Sequence, residues 1–372
     1  MKSQWPMVKL GDVLNYEQPT HYIVNTTQYD DTYPIPVLTA GQTFILGYTN
    51  ETENIYHKNL PVLIFDDFTT AIKYVDFPFK VKSSAMKILS NDKSKTSIKY
   101  LFYAMGRISI DTELHKRYWI SLYSNISIPL PPLSVQLQIV QKLDKVQLLI
   151  EQRKYQIEKL DLLAKSRFIE MFGDPVTNPR NFVSIPLNQM ANIASGITKG
   201  RKTKDLDLKE VPYMAVSNVK DGYIDWTTVK TILATHAEIQ QYRILPDDVL
   251  MTEGGDPDKL GRGALIRTPL KDCIHQNHIF RVRLDKKMVL PVYFAEYLKK
   301  QKAKRYFLGC AKQTTGIASI NMTQLRVLPV LLPPITLQNE FASFIEQLDK
   351  SKFSISRQQK MIDSCQRGII LH

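Results

Sequence analysis

Residues 130–138 read L-P-P-L-S-V-Q-L-Q, residues 332–340 read L-P-P-I-T-L-Q-N-E, and each block opens a long, charged, helix-forming stretch. A repeat this far apart implies two whole domains, each closing on the same element. In both copies a Pro-Pro pair forbids helix up to that point. Ser134 or Thr336 then stands as the expected N-cap, and Gln138 or Glu340 follows at a spacing close to a capping box. Each block therefore marks a helix start.

The register of the two helices adds a pairing constraint. From Ile139 the first places Leu143, Val146, Ile150, Ile157, Leu160 and Ala164 at alternating four- and three-residue steps, interrupted by Arg153. From Phe341 the second places Ile345, Leu348, Ile355 and Ile362 on the same frame, with Lys352 and Gln359 at the remaining positions. One incomplete apolar column in each helix predicts a seam completed only when the two pack together. The alternative is two unrelated helices, each lying on its own domain.

At 372 residues and 44% hydrophobic content the chain has room for two cores. No apolar run approaches the roughly 20 residues of a membrane span, and Met1 to Leu10 lacks the regions of a signal peptide. A cytoplasmic protein is expected. The three cysteines, Cys273, Cys310 and Cys365, form no CxxC and no paired framework, which fits free thiols in a reducing compartment. The net charge of +13 points to a polyanionic partner, most often nucleic acid, although an ordinary basic protein would show the same excess.

Between the helices lie two segments of similar internal order. The first, residues 5–129, has β-rich runs at Ile35–Leu38, Pro61–Phe65 and Phe77–Leu89, then a short helical stretch near Ile98–Gly106. The second, residues 182–331, has runs at Val211–Val216, Asp248–Thr252 and Cys273–Leu284, then a helical stretch near Val292–Lys302. A polar loop follows in each, and then the Pro-Pro helix. The expected class is α+β: two β-rich domains, 1–132 and 176–333, separated by long helices over 133–175 and 334–372, with a pseudo-two-fold internal repeat.

Several loops are rich in groups that can touch DNA. In the first half these are Asp66-Asp67-Phe68-Thr69-Thr70 and Leu114-His115-Lys116-Arg117-Tyr118-Trp119. In the second they are Lys199-Gly200-Arg201-Lys202, Glu253-Gly254-Gly255-Asp256-Pro257-Asp258-Lys259, His275-Gln276-Asn277-His278 and Lys312-Gln313-Thr314-Thr315-Gly316. Arg or Lys reads guanine and Gln or Asn reads adenine in the major groove, while hydroxyls, glycine amides and lysines hold phosphates. Any one of these loops taken alone is as readily a solvated turn. Their recurrence at equivalent places favours the functional reading.

The L-P-P-[LI]-x-[LV]-Q blocks, the half-to-half repeat, and the stretches P-V-L-T-A-G-Q-T-F-I-L-G-Y-T, I-F-D-D-F-T-T-A, M-T-E-G-G-D-P-D-K-L-G-R-G and K-Q-T-T-G-I-A-S-I-N resemble the specificity subunit of type I restriction-modification systems. The resemblance covers essentially the whole chain. It implies that each half is a target-recognition domain, that the long helices form an antiparallel spacer docking two methyltransferase subunits, and that the target is a bipartite, asymmetric site in double-stranded DNA. It also implies restriction and translocase partners, with S-adenosylmethionine, ATP and Mg²⁺ bound by partner subunits and not by this chain. Helix one, from Ser134 to about Phe172, would span roughly 58 Å at about 1.5 Å per residue. Such a helix can serve as a ruler between two readers, and methylation of an adenine in each half-site would require that base to be flipped into a partner's active site.

Carried over residue by residue, Lys199, Arg201, Gln276, Asn277, Lys312, Gln313, Thr314 and Thr315 are expected to face DNA in the second half. Thr69, Thr70, His115, Lys116, Arg117 and Tyr118 take that place in the first. The expected helix seam is Leu143, Val146, Ile150, Ile157, Ile345, Leu348, Ile355 and Ile362. One departure from longer relatives is expected: almost nothing precedes the first domain, so an N-terminal segment completing the helical bundle would be absent or very short.

Enzymatic readings fail on motif requirements. The stretch Gly196 to Thr203 resembles a phosphate loop, but Arg201 stands where glycine is required. Both Pro-Pro pairs follow leucine and precede Leu133 or Ile335, unlike the acidic or amide residue before Pro-Pro-aromatic of adenine methyltransferases, and no glycine-rich strand-to-helix turn is present for S-adenosylmethionine. Cys273, His275 and His278 invite a zinc reading, yet on a strand positions 275 and 278 face opposite ways and no fourth ligand lies at zinc spacing. Asp66, Asp67 and Lys73 lack the acid-to-acid-x-Lys arrangement of a nuclease. A non-catalytic recognition subunit is expected. The alternatives are the specificity partner of a fused restriction-methylation enzyme and a helical scaffold that binds proteins only. The target sequence itself is not legible from the chain.

Overall fold

The computed structural model describes residues 5–41, 43–108, 110, 118–201, 207–256, 260–314 and 317–369, with the backbone alone at 313, 314, 317 and 364–369. The chain divides into two compact units, 1–154 with 356–372 and 155–355. The division falls within both long helices.

The first unit runs β1 (Met7–Lys9), α1 (Leu10–Val13), β2 (Leu14–Glu17), β3 (Ile35–Leu38), β4 (Ile45–Thr49), β5 (Val62–Asp66), β6 (Ile72–Val75), β7 (Lys80–Val81), β8 (Met86–Asn91), α2 (Ile98–Met105), α3 (Tyr118–Ser121) and β9 (Ser127–Pro129) into the long helix α4 (Leu133–Phe172). Strand β5 is buried along its whole length because both faces of its sheet are covered. Leu63 and Phe65 pack with Leu89, Tyr100, Leu101 and Trp119. Val62 and Ile64, on the opposite face, pack with Tyr56, Val75, Phe79 and Ile88. Each such side chain contributes about 1.5–3 kcal/mol on burial.

The second unit runs β10 (Val183–Pro186), β11 (Ala191–Ser195), β12 (Lys209–Met214), β13 (Lys230–Ala234), α5 (His236–Tyr242), β14 (Val249–Thr252), β15 (Gly254–Gly255), β16 (Gly263–Leu265), β17 (Ile274–His275), β18 (Ile279–Leu284), α6 (Pro291–Leu298), α7 (Gln301–Cys310), β19 (Lys312–Thr314), β20 (Ile317–Ser319), α8 (Met322–Arg326) and β21 (Pro329–Leu332) into α9 (Ile335–Ile369). Its sheets reproduce those of the first unit strand for strand. Order β2-β8-β5-β6 answers to β11-β18-β14-β16, β4-β3-β7 to β13-β12-β17, and β1-β9 to β10-β21. The parallel pair inside each three-stranded sheet recurs as well. The second unit also holds a three-stranded sheet, β15-β20-β19, with no counterpart among the described residues of the first.

The repeat extends to single hydrogen bonds. The Leu10 amide donates to the Ile126 carbonyl at 2.9 Å, and the Leu187 amide to the Leu328 carbonyl at 3.0 Å. The Tyr100 hydroxyl donates to the Pro129 carbonyl at 2.5 Å, and the Tyr293 hydroxyl to the Leu331 carbonyl at 2.8 Å. Each pins a short helix or turn to the strand that leads into a Pro-Pro block.

The expected capping by Ser134 and Thr336 is corrected. The helices begin at Leu133 and Ile335, so Ser134 and Thr336 lie inside the first turn, and the carbonyls of Pro132 and Pro334 accept the Gln136 and Gln338 backbone amides at 3.0 and 3.1 Å. The proline pair itself opens the helix, and the buried polar residue is Gln136 or Gln338, each 0% exposed. The amide of Gln136 donates to the Pro131 carbonyl and that of Gln338 to the Pro333 carbonyl, both at 2.8 Å.

Two of the expected β-rich runs are punctuated by a turn: Phe77–Leu89 and Cys273–Leu284 resolve into β7 with β8 and β17 with β18. In both places the chain leaves one sheet for the other across a polar run, Lys82-Ser83-Ser84 or Gln276-Asn277-His278, so a single alternation cannot hold through it. The helical stretch near Val292–Lys302 likewise resolves into α6 and α7, with Lys300 extended between them at φ −86 and ψ 156.

Within the second unit the end of α4 and the start of α9 run antiparallel. Phe168 lies 5.6 Å from Phe341 edge to face, and Lys352 donates to Asp161 at 2.6 Å. Ala164, Ile345 and Leu348 are buried in one cluster, with Leu160 packed against it, and Phe168 stacks on Tyr293. Lys352, polar on the apolar frame, is thus satisfied by a carboxylate. Elsewhere on the expected seam, Leu143 and Ile150 are buried and Val146, Ile157, Ile355 and Ile362 half-buried. No helix among the described residues is long and apolar enough to cross a membrane.

Candidate nucleic-acid interface

Four loops of the second unit converge. The Asn277 amide donates to the Ile197 carbonyl at 3.0 Å, and the Ser195 hydroxyl to the Asn277 carbonyl at 2.8 Å, which ties the 276–278 turn to the segment leading to Lys199. A Cβ on Gly196 would stand 1.9 Å from the His275 carbonyl oxygen, so only glycine permits this approach. On the other side the Glu253 amide donates to the His278 carbonyl at 3.0 Å, and the Ile320 amide to the Glu253 carbonyl at 2.9 Å. Strands β15, β20 and β19 then carry the connection to Lys312.

In the first unit the β5–β6 turn has the equivalent place. The Tyr118 amide donates to the Asp67 carbonyl at 3.0 Å, as Ile320 does to Glu253 at 2.9 Å. Asp66 and Asp67 act as turn and loop anchors. Asp66 accepts the Phe68 amide at 2.9 Å, and Asp67 accepts the Trp119 amide at 2.8 Å while facing the buried Lys87 at 3.5 Å.

The expected site residues fall into distinct groups. Lys199, Thr69 and Lys312 are exposed, and Thr70, Gln276 and Asn277 half-buried at the loop surface. Thr69 donates to Asp66 at 2.6 Å, and Thr70 adopts φ 62, so both also shape the turn. Gln276 accepts the Val216 amide at 3.3 Å. His115, Lys116, Arg117 and Thr315 lie outside the described residues, as do the side chains of Gln313 and Thr314.

Two expected contacts are corrected. Tyr118 is 4% exposed and packs in the core with Trp119 and Phe65, as Ile320 does in the second unit, so its ring is withdrawn from any groove. Arg201 pairs in bidentate fashion with Glu238, the residue that closes the capping box of α5, and this hydrogen bonding lowers the Glu238 pKa. Its guanidinium fastens a loop to a helix start instead of standing free for a base.

Two exposed side chains lie in the expected loops but outside the residues expected to face DNA. Phe68 is 44% exposed at the tip of the β5–β6 turn. His278, left out of the expected contacts, is exposed with its Nδ1 2.6 Å from Glu253 Oε2. Its neighbours in the zinc reading are both interior. Burial pushes the Cys273 thiol up to about 12 and, with Arg281 close by, holds the His275 imidazole down to about 4. Among the described residues no group of three or more His, Cys, Asp or Glu is placed to hold a metal ion.

Comparison with known proteins gives one answer. The family model described as type I restriction modification DNA specificity domain matches residues 2–159 and 179–362. The type I restriction enzyme EcoR124I/EcoR124II specificity subunit of Escherichia coli is 32% identical over 367 residues, covering 93% of this chain and 87% of that protein. The EcoKI specificity subunit of Escherichia coli strain K12 is 25% identical over 246 residues, 63% of this chain and 53% of that protein. The crystal structure of a type I restriction-modification S subunit from M. genitalium shares the fold at TM-score 0.59 and 13% identity, covering 99% of this chain and 96% of that one.

Proposed function

Because the chain belongs to the type I restriction-modification DNA specificity family, we propose that each of its two repeats reads one part of a bipartite, asymmetric site in double-stranded DNA. The observation that carries this reading is the repeat itself: one scaffold, equal down to single hydrogen bonds, presents different loops in each copy. An identical frame with different exposed side chains is what two readers of different half-sites require. The net charge of +13 supports a polyanionic partner.

The chain supplies recognition and its partners supply chemistry, in the cytoplasm where host DNA lies. Two methyltransferase subunits dock on the long helices, which act as the spacer, and deliver adenine N6 methylation; restriction and translocase subunits complete the complex. S-adenosylmethionine, ATP and Mg²⁺ belong to those partners. Support for docking comes from α4, where Tyr155, Leu162 and Ile169 recur at heptad spacing and are 58%, 53% and 44% exposed. They occupy the position opposite the seam that holds Ile157 and Ala164, where a lone helix pair would carry polar residues.

The test is exchange of residues 5–129 for the first domain of another family member, followed by methylome sequencing with the partners present. One half-site should change and the other persist. A change in both half-sites would show that readout is shared between repeats.

A further inference from the structure

We infer that His278, together with Asn277, is a base-reading residue of the second half-site, with Glu253 as its positioning residue; this rests on the DNA-recognition role proposed above. The turn that carries the pair is fixed from both sides. Ser195 and Ile197 hold Asn277, at 2.8 and 3.0 Å, while the Glu253 amide holds the His278 carbonyl at 3.0 Å. A backbone this constrained beneath side chains that reach the surface is preorganised for recognition, since little ordering cost remains at binding.

The ring is constrained as well. The Glu253 carboxylate lies 2.6 Å from Nδ1 and the Asn277 amide nitrogen 3.3 Å from Nε2, so both ring nitrogens are held. Imidazole and amide side by side suit a base edge: on binding, Asn277 exchanges its contact with Nε2 for a base, donating and accepting as it does on adenine, and the freed Nε2 meets the neighbouring edge. A phosphate is the poorer fit, because Glu253 sits against the ring and Asp256 follows on the same loop. The first unit offers no such pair: the turn between β7 and β8 carries Lys82-Ser83-Ser84-Ala85, so the feature distinguishes one reader from the other.

The assembled complex of the full chain with its methyltransferase partners provides the test, its cognate motif being read first from the methylated genome of a host carrying the wild type. His278→Ala should weaken binding of the cognate duplex on the order of tenfold with a far smaller change on a scrambled duplex. The methylated motif should become degenerate at one position of one half-site, with the other half-site intact. Glu253→Gln should give a smaller loss at that same position. An unchanged motif with His278→Ala overturns the inference, as do equal losses on both duplexes, which mark a phosphate contact, and a lowered melting temperature with the motif retained, which marks a structural pair. A wild-type complex that methylates no bipartite motif overturns the parent reading instead.

Discussion

The side-chain carbonyl of Gln338 accepts the backbone amide of Leu290 at 2.8 Å, joining the first turn of α9 to the start of α6. The Gln338 amide donates to the Met288 and Pro333 carbonyls, at 3.1 and 2.8 Å, so one buried side chain satisfies a loop, a helix start and a proline block. Gln136 repeats the arrangement, accepting the Ser97 amide at 2.9 Å. An isolated long helix has no reason to bury a glutamine. Here the residue converts a local helix start into a fixed attachment between helix and domain.

Replacing Gln338 by alanine strands the Leu290 amide and the Met288 and Pro333 carbonyls away from water. Each orphaned group costs roughly 1–3 kcal/mol, so Gln338→Ala should lower stability by at least about 3 kcal/mol. Urea unfolding of the specificity chain reads this directly. A change below about 1 kcal/mol would mean that water reaches the site and replaces the side chain.

Legibility followed the range of the interaction. The Pro-Pro helices, the heptad frame and the runs at Ile35–Leu38 and Ile98–Gly106 were readable because periodicity and proline chemistry are local signals. Gln136 and Gln338 lie in the repeated block, yet local chemistry favours the neighbouring Ser134 and Thr336 as caps, because burial of a polar residue depends on partners far along the chain. The same reason hid Tyr118, whose amide meets Asp67, and Arg201, whose partner is Glu238. That Glu253 meets His278 is a fact of strand topology, since β14 and β18 are adjacent antiparallel strands. No spacing in the sequence announces it.

Acid should reveal the buried His275. Burial and Arg281 hold its pKa down to about 4 from an ordinary 6.5, so the unfolded chain takes up a proton that the folded protein refuses. The stability linked to the neutral ring is complete above pH 6.5 and is lost as pH falls from 6.5 to 4, by up to roughly 3 kcal/mol at about 1.4 kcal/mol per unit. His275→Gln should flatten the stability curve over that window. An equal slope in wild type and variant would assign the acid sensitivity to other groups.

Lys312 opens β19 on an exposed edge of the second-unit loop cluster. If it holds a phosphate, Lys312→Ala should weaken cognate and scrambled duplexes about equally and reduce the slope of log affinity against log salt by roughly one. Titration of the assembled complex at several salt concentrations measures both. A loss confined to the cognate duplex would make Lys312 a base reader.

The two sides of α4 should respond in opposite ways to charge. Leu162 is 53% exposed and Ala164 6% exposed, two residues apart on the same helix, one on the outward stripe and the other in the cluster with Ile345 and Leu348. A glutamate at Leu162 stays in water, so Leu162→Glu should shift stability by less than about 0.5 kcal/mol. It should nevertheless prevent a methyltransferase subunit from covering the stripe, because docking would then bury an unpaired carboxylate. Ala164→Glu buries that charge within the fold and should destabilise the chain itself by several kcal/mol before any partner is added. Thermal melting of the isolated chain separates these cases, and light scattering of the reconstituted complex counts the subunits bound. Full assembly with Leu162→Glu would show that the partners dock elsewhere and leave the apolar stripe without a role in the complex.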